Sequence, residues 1–182
     1  MVKRNSNPYG LDEAIDAMQL KLYAALITYP TWVNYESYPR AEKIKDGQEV
    51  LPKVCLDGKN YTEVLFDDRK NATSFYLAGE RRDFDYSTGY YTQNISLIFQ
   101  GLLNKLYPNA TNRADEEMIY DISKALRKIG YIHTLESIDT TIDEVYKGLT
   151  IYGEKKYSDD MSNYFVCRFN FKINYPQLNG EC

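Results

Sequence analysis

The sequence predicts an α+β fold: a mostly antiparallel sheet with two amphipathic helices packed on one face and long hairpin or loop extensions. Three observations lead there. The stretch Tyr164 to Tyr175, YFVCRFNFKINY, alternates strictly, with Phe165, Cys167, Phe169, Phe171, Ile173 and Tyr175 on one side and Arg168, Asn170, Lys172 and Asn174 on the other. That is the pattern of a half-buried antiparallel strand. Two other stretches repeat apolar residues at helical spacing. Between and after them come short β-like runs separated by turn residues.

Along the chain, a polar arm (residues 1–10) precedes Leu11, Ala14, Ile15, Met18, Leu22, Ala25 and Leu26, which recur at three, four and seven residues. Asp12 and Glu13 suit the start of that helix, and Pro30 biases Tyr29 out of helical geometry and closes it. Trp32 to Tyr38 and Glu49 to Leu56 read as strands, Pro52 pushing the second towards a sheet edge. Asp57-Gly58 is a hairpin signal before Tyr61 to Phe66, Ser74 to Ala78 is a short apolar run, and Asp83 to Gly89 a polar tip. Thr92 to Leu106 holds the next strand, with Gly101 as a bulge or bend and Pro108 as the stop.

The second helix carries Met118, Ile119, Ile122, Ala125, Leu126 and Ile129 as its stripe. Asn112 and Asp115 stand in capping-box spacing before it, and Gly130 is placed to cap its end. Tyr131 to Asp139 and Ile142 to Leu149 read as a further strand pair, and a loop leads to the closing strand. The whole chain, 1–182, is taken as one domain with a tail at 176–182. Two helices cover one face of such a sheet, so the other face and the borders are expected to be polar or covered by another copy.

The strand at Tyr164–Tyr175 is long for its domain. Twelve residues extend about 40 Å at roughly 3.4 Å each, close to the diameter implied by a radius of gyration of about 16 Å. Strands usually have about five or six residues. Its ends are therefore expected to meet neighbouring subunits. Tyrosine, with 18 copies, suits contacts dry at one side and wet at the other.

The chemistry-bearing motifs are few. The glycines form no GxGxxG, GxxxxGK[ST] or GxSxG pattern, and one histidine allows neither HExxH nor a multi-histidine centre. Asp67-Asp68, Asp115-Glu116-Glu117 and Asp159-Asp160 lack the spacing of a calcium loop, and Cys55, Cys167 and Cys182 lack CxxC spacing. We therefore expect no catalytic residue, no cofactor and no metal. With 22 basic and 26 acidic residues, net −4, tight nucleic-acid binding is not expected. The first residues contain no apolar h-region and no run approaches 18 apolar residues, so neither secretion nor a membrane partner is expected.

The segments YPTWVNYESYPRAEKIKDGQEVLPKV, FDDRKNATSFYLAGERRDF, RADEEMIYDISKAL and NYFVCRFNFKINY together resemble small structural proteins of tailed bacteriophages, particularly the crAss-like group, of the neck or tail. The order of elements is similar to tail-terminator and head–tail connector folds. The resemblance implies a homo-oligomeric ring in the virion, assembled in the host bacterial cytoplasm, joined to neighbouring neck or tail proteins and passing genomic DNA without reading its sequence. An acidic lumen would let that DNA slide. Asp67, Asp68, Arg69, Arg81, Arg82, Asp83, Tyr90 and Tyr91 are the candidate subunit contacts. Two alternatives stay open: a small cytoplasmic enzyme using His133 with Glu136 or Asp139 as acid and base, and a monomeric adaptor binding by β-augmentation.

Overall fold

A computed structural model describes residues 1–130, 132–152, 156 and 161–176. Its elements are α1 (Leu11–Leu26), a 3-10 turn (Pro30–Trp32), β1 (Tyr35–Asp46), β2 (Glu49–Cys55), β3 (Tyr61–Glu63), β4 (Ala72–Asp85), β5 (Tyr90–Leu102), α2 (Leu103–Leu106), α3 (Asp115–Leu126), β6 (Ile132–Asp139), α4 (Ile142–Val145) and β7 (Tyr164–Pro176). The seven strands form one sheet in the order β3-β2-β1-β4-β5-β7-β6, with β1 and β4 parallel and the other pairs antiparallel. The α+β expectation holds, with α1 and α3 on one face. Among the described residues no helix is long and apolar enough to cross a membrane.

The alternation of β7 organises the larger core. Phe165, Cys167, Phe169, Phe171, Ile173 and Tyr175 join Leu97 and Phe99 of β5 and Tyr35 of β1 beneath Ile15, Met18 and Leu22 of α1 and Met118 and Ile122 of α3. Trp32, Tyr35, Phe99 and Phe169 meet ring to ring at centroid separations of 5.3 to 6.3 Å, both stacked and edge-on, as aromatic quadrupoles prefer.

The opposite face departs from expectation. Phe75 and Leu77 of β4, Ile98 and Leu102 of β5, and Tyr164 and Val166 of β7 pack beneath Ala41, Val54, Val64, Val145 and Tyr146. Half of β1 pairs with β4 and half with β2, so the β2–β3 end curls over this face and encloses a second core. The chain thus covers with its own residues much of what was expected to be polar or covered by another copy. Likewise β7 lies between β5 and β6, paired from Tyr164–Leu102 to Pro176–Tyr90 on one side and over Arg168–Ile173 on the other. Its length is matched by its own neighbours, so length alone requires no second subunit.

Local corrections follow from the same packing. The segment Ile142 to Leu149, expected as a strand, opens as the one-turn α4 and continues through a turn at Gly148 (φ 84°). Trp32 sits in the 3-10 turn and β1 starts at Tyr35, running on to Asp46. Asn112 does not cap α3, whose N-cap is Ala114, and Gly130 is not the cap, since the helix ends at Leu126 with Arg127 as its C-cap. Gly101 keeps its pairing with Ala72 and Phe165 and makes no bulge; a Cβ there would lie 3.1 Å from Leu106 Cδ1. The N-terminal arm is tied to the sheet and to α1: Val2 bridges Ser37 where β2 has left the border of β1, and Arg4 holds Asp16 at 2.7 and 2.8 Å. The C-terminal tail beyond Pro176 lies outside the described residues.

Candidate interaction surface

The outer half of the β4–β5 hairpin gathers most of the sequence-predicted contact residues. β1 follows β4 only as far as the Ala41–Leu77 pair, and Glu42 onward turns to β2. Among the described residues no strand therefore pairs with Ala78 to Asp85 on that border. On the other border β5 continues to Tyr90.

A bulge bends the hairpin where β1 departs. Ala78 pairs with Ile95 and Arg82 with Gln93, so Gly79, Glu80 and Arg81 stand against Asn94 alone. Extra residues on one strand increase its twist and redirect side chains. Gly79 fits because a Cβ there would lie 3.2 Å from both Cβ and O of Asn94. Gln93, only 5% exposed, fixes the irregularity: its Nε2 donates to the Gly79 carbonyl at 2.7 Å, and its Oε1 accepts from Tyr175 Oη at 3.1 Å and Arg82 Nε at 3.3 Å.

Beyond the bulge the side chains form an aromatic ridge. Phe84 lies 4.8 Å from both Tyr86 and Tyr91, and Tyr91 lies 5.6 Å from Tyr175. The Arg82 guanidinium sits 5.3 and 5.8 Å from the Tyr91 and Tyr175 ring centres, within cation–π range. At the turn, Asp85 accepts from the Ser87 N–H, Ser87 Oγ and Thr88 Oγ1 at 2.7 to 2.9 Å, bonds that hold its carboxyl below the usual range. Tyr86 is left 92% exposed and Tyr90 45%. Arg81 reaches Asp83 at 2.8 Å, both in open solvent.

Beside the ridge is a concavity of about 400 Å³ between the arm and the hairpin, lined by Tyr9, Asp12, Arg40, Arg82, Gln93 and Tyr175. Arg40 grips Asp12 through Nε and Nη2 at 2.5 and 3.0 Å, a bond that raises the guanidinium's affinity for its proton. This end of the molecule offers flat rings, a fixed guanidinium and an open strand border. It can stack on a partner and accept a strand, the means by which chains dock edge to edge.

The eight predicted residues do not form one patch. Arg81, Arg82, Asp83, Tyr90 and Tyr91 are on this hairpin. Asp67, Asp68 and Arg69 are in the loop before β4, and from Ala72 to Arg82 the strand runs roughly 30 Å. There Arg69 folds back on Asp67 at 2.7 to 3.0 Å, which holds that carboxyl at about 2, and the Asp68 carbonyl accepts from Lys105 at 2.5 Å. Gln93 and Arg40 were not singled out from sequence, and no local pattern marks them. Tyr175 was visible only as part of the β7 alternation.

The His133 side chain, Asp159, Asp160 and Cys182 lie outside the described residues. Of the carboxylates offered as its partners, Glu136 pairs with Lys172 at 2.7 Å and Asp139 accepts from Asn170 at 2.7 Å. Among the described residues no three His, Cys, Asp or Glu side chains come together as a metal site. Neither a protein-family model nor a curated protein matches the chain.

Proposed function

We propose that this chain is a structural protein that assembles as a ring in the neck or tail of a tailed phage, as tail terminator or head–tail connector, passing DNA without reading it. The observation that carries the reading is the outer β4–β5 hairpin, where a buried latch holds exposed tyrosines and an open strand border in one fixed shape. Such a surface meets a different surface on the next copy, a heterologous contact that closes into a ring when the rotation divides a circle. The family resemblance of the sequence supports the same reading. So does a net charge of −4, which disfavours sticking to phosphates in a channel.

The test is mass photometry and negative-stain microscopy of the full chain, alone and in purified particles containing it. Closed rings of one subunit number support the proposal. A chain that stays monomeric and never enters particles overturns it. The unpaired border of Ala78 to Asp85 favours a second reading, a monomeric adaptor that adds a partner's strand there. That reading gains if the chain remains monomeric yet binds an extended partner peptide through this border.

A further inference from the structure

The second face of the sheet holds a cavity of about 330 Å³ that the ring reading leaves unused. It opens between the outward-turning part of β1, the turn after α4 and the polar side of β7. Its lining includes Lys43, Lys147 and Arg168 and one carboxylate, Glu136. That carboxylate is paired with Lys172 at 2.7 Å. Just outside the lining, Glu144 pairs with Lys147 at 3.0 Å and Asp139 accepts from the lining Asn170 at 2.7 Å, so the cations exceed the carboxylates around the cavity by a narrow margin, in a chain whose net charge is −4.

The three cations come from distant parts of the sequence, and the backbone brings them to one place. Arg168, on β7, donates through Nη1 to the Lys147 carbonyl at 3.1 Å and lies 3.4 Å from those of Glu144 and Val145 at the end of α4. Its Nε donates to Asn170 Oδ1 at 2.8 Å, and Nη2 takes part in none of these bonds. Burial pulls its proton affinity down from the usual arginine level, so an anion beside it would relieve a desolvated charge. Gly148 follows Lys147 with φ 84°, and a Cβ there would lie 3.0 Å from Lys43 Nζ. The missing side chain is what admits the Lys43 ammonium, which has no ion pair or hydrogen bond among the described residues. Ser137 accepts from Asn170 Nδ2 at 2.9 Å, which leaves its own hydrogen to donate.

We propose that this cavity binds a phosphate group, as inorganic phosphate or as the terminal phosphate of a small phosphomonoester. A fixed guanidinium, the Lys43 ammonium, a Lys147 ammonium that Glu144 holds at 3.0 Å through one of its three hydrogens, and a hydroxyl donor match a compact dianion with several acceptor oxygens. The volume suits a small ligand. A duplex phosphodiester carries a single charge and is flanked by chain on both sides, and it would have to reach into a recess.

The full chain is titrated with inorganic phosphate by calorimetry at constant ionic strength, with a short phosphomonoester and a DNA duplex as separate arms. Phosphate and the monoester should bind, and Lys43→Ala should weaken both about tenfold, the loss of one charged hydrogen bond. Lys128→Ala, on the exposed end beyond α3, should leave them unchanged. Lys147→Ala serves as the second variant, and circular dichroism checks that each remains folded. Absence of phosphate binding, equal binding by Lys43→Ala and the native chain, or binding of the duplex alone would each overturn the proposal.

Discussion

The β4–β5 ladder is one hairpin with two unlike halves. Ala72 to Leu77 are all buried, with Ala72 and Tyr76 turned to the α1–α3 core and Phe75 and Leu77 to the second core. Glu80 to Asp83, on the same strand, are all exposed. Hydrogen bonding to β5 continues through both halves; what ends near Ala78 is the cover, as β1 turns away and the cores run out. Burial and exposure are thus separated along a single strand. The inner half is held by burial, and the outer half by a buried glutamine and a row of rings.

The separation is broken most directly by truncating one aromatic in each half. Phe99 is wholly buried among Trp32, Tyr35 and Phe169, so Phe99→Ala should cost about 3–5 kcal/mol. Tyr86→Ala, at a 92% exposed site, should fall within about 0.5 kcal/mol. Urea unfolding of both variants decides it, and comparable losses would remove the distinction.

Alkaline pH tests the inner half through its hydroxyls. Burial pushes Tyr35 and Tyr146 up to about 12, although Ser74 and Gln100 hydrogen-bond to them. An unfolded tyrosine titrates near 10. The folded state therefore holds these protons more tightly: the stability is complete below about pH 10 and is lost as pH rises from 10 towards 12. Two pKa units correspond to about 2.7 kcal/mol per group at the top of that window. The urea midpoint should stay level from pH 8 to 9.5 and then fall steeply. A midpoint still unchanged at pH 11 would mean that water reaches these phenols.

How far the sequence revealed this division depends on the range of each interaction. The α1 stripe and the β7 alternation are local repeats, and both appear as read. β1 beyond Pro39 reads as polar, Arg-Ala-Glu-Lys-Ile-Lys-Asp, and was missed because Ala41 alone of that stretch is buried, under a core supplied by residues far along the chain. α4 has four residues, too few for a helical period. On the hairpin, the charged and tyrosine positions were legible. The Gln93 latch was not, because a bulge is set by the register of two strands, and the cation cavity joins Lys43 to Arg168 only through the fold.

Gln93→Ala sharpens the boundary between the halves. It leaves the Gly79 carbonyl, the Tyr175 hydroxyl and Arg82 each short of a partner, and should cost about 1–3 kcal/mol. The loss should be local. Amide exchange at Thr92 and Asn94 should quicken well before exchange at Leu97 and Phe99. Uniform acceleration along β5 would show that the latch supports the whole sheet.

The smallest expected change in stability bears most directly on the proposed assembly. Arg81→Glu combined with Tyr86→Ser alters two exposed side chains, the first in the bulge and paired with the exposed Asp83, the second at the hairpin turn. Exposed pairs of this kind add little to folding, so the unfolding midpoint should match that of the native chain. If the outer hairpin is the contact between copies, the same double variant should stay monomeric in mass photometry under conditions where the native chain forms rings. A variant that assembles normally would exclude the hairpin as the contact and direct attention to the opposite end of β4, where Asp67 and Arg69 pair in solvent.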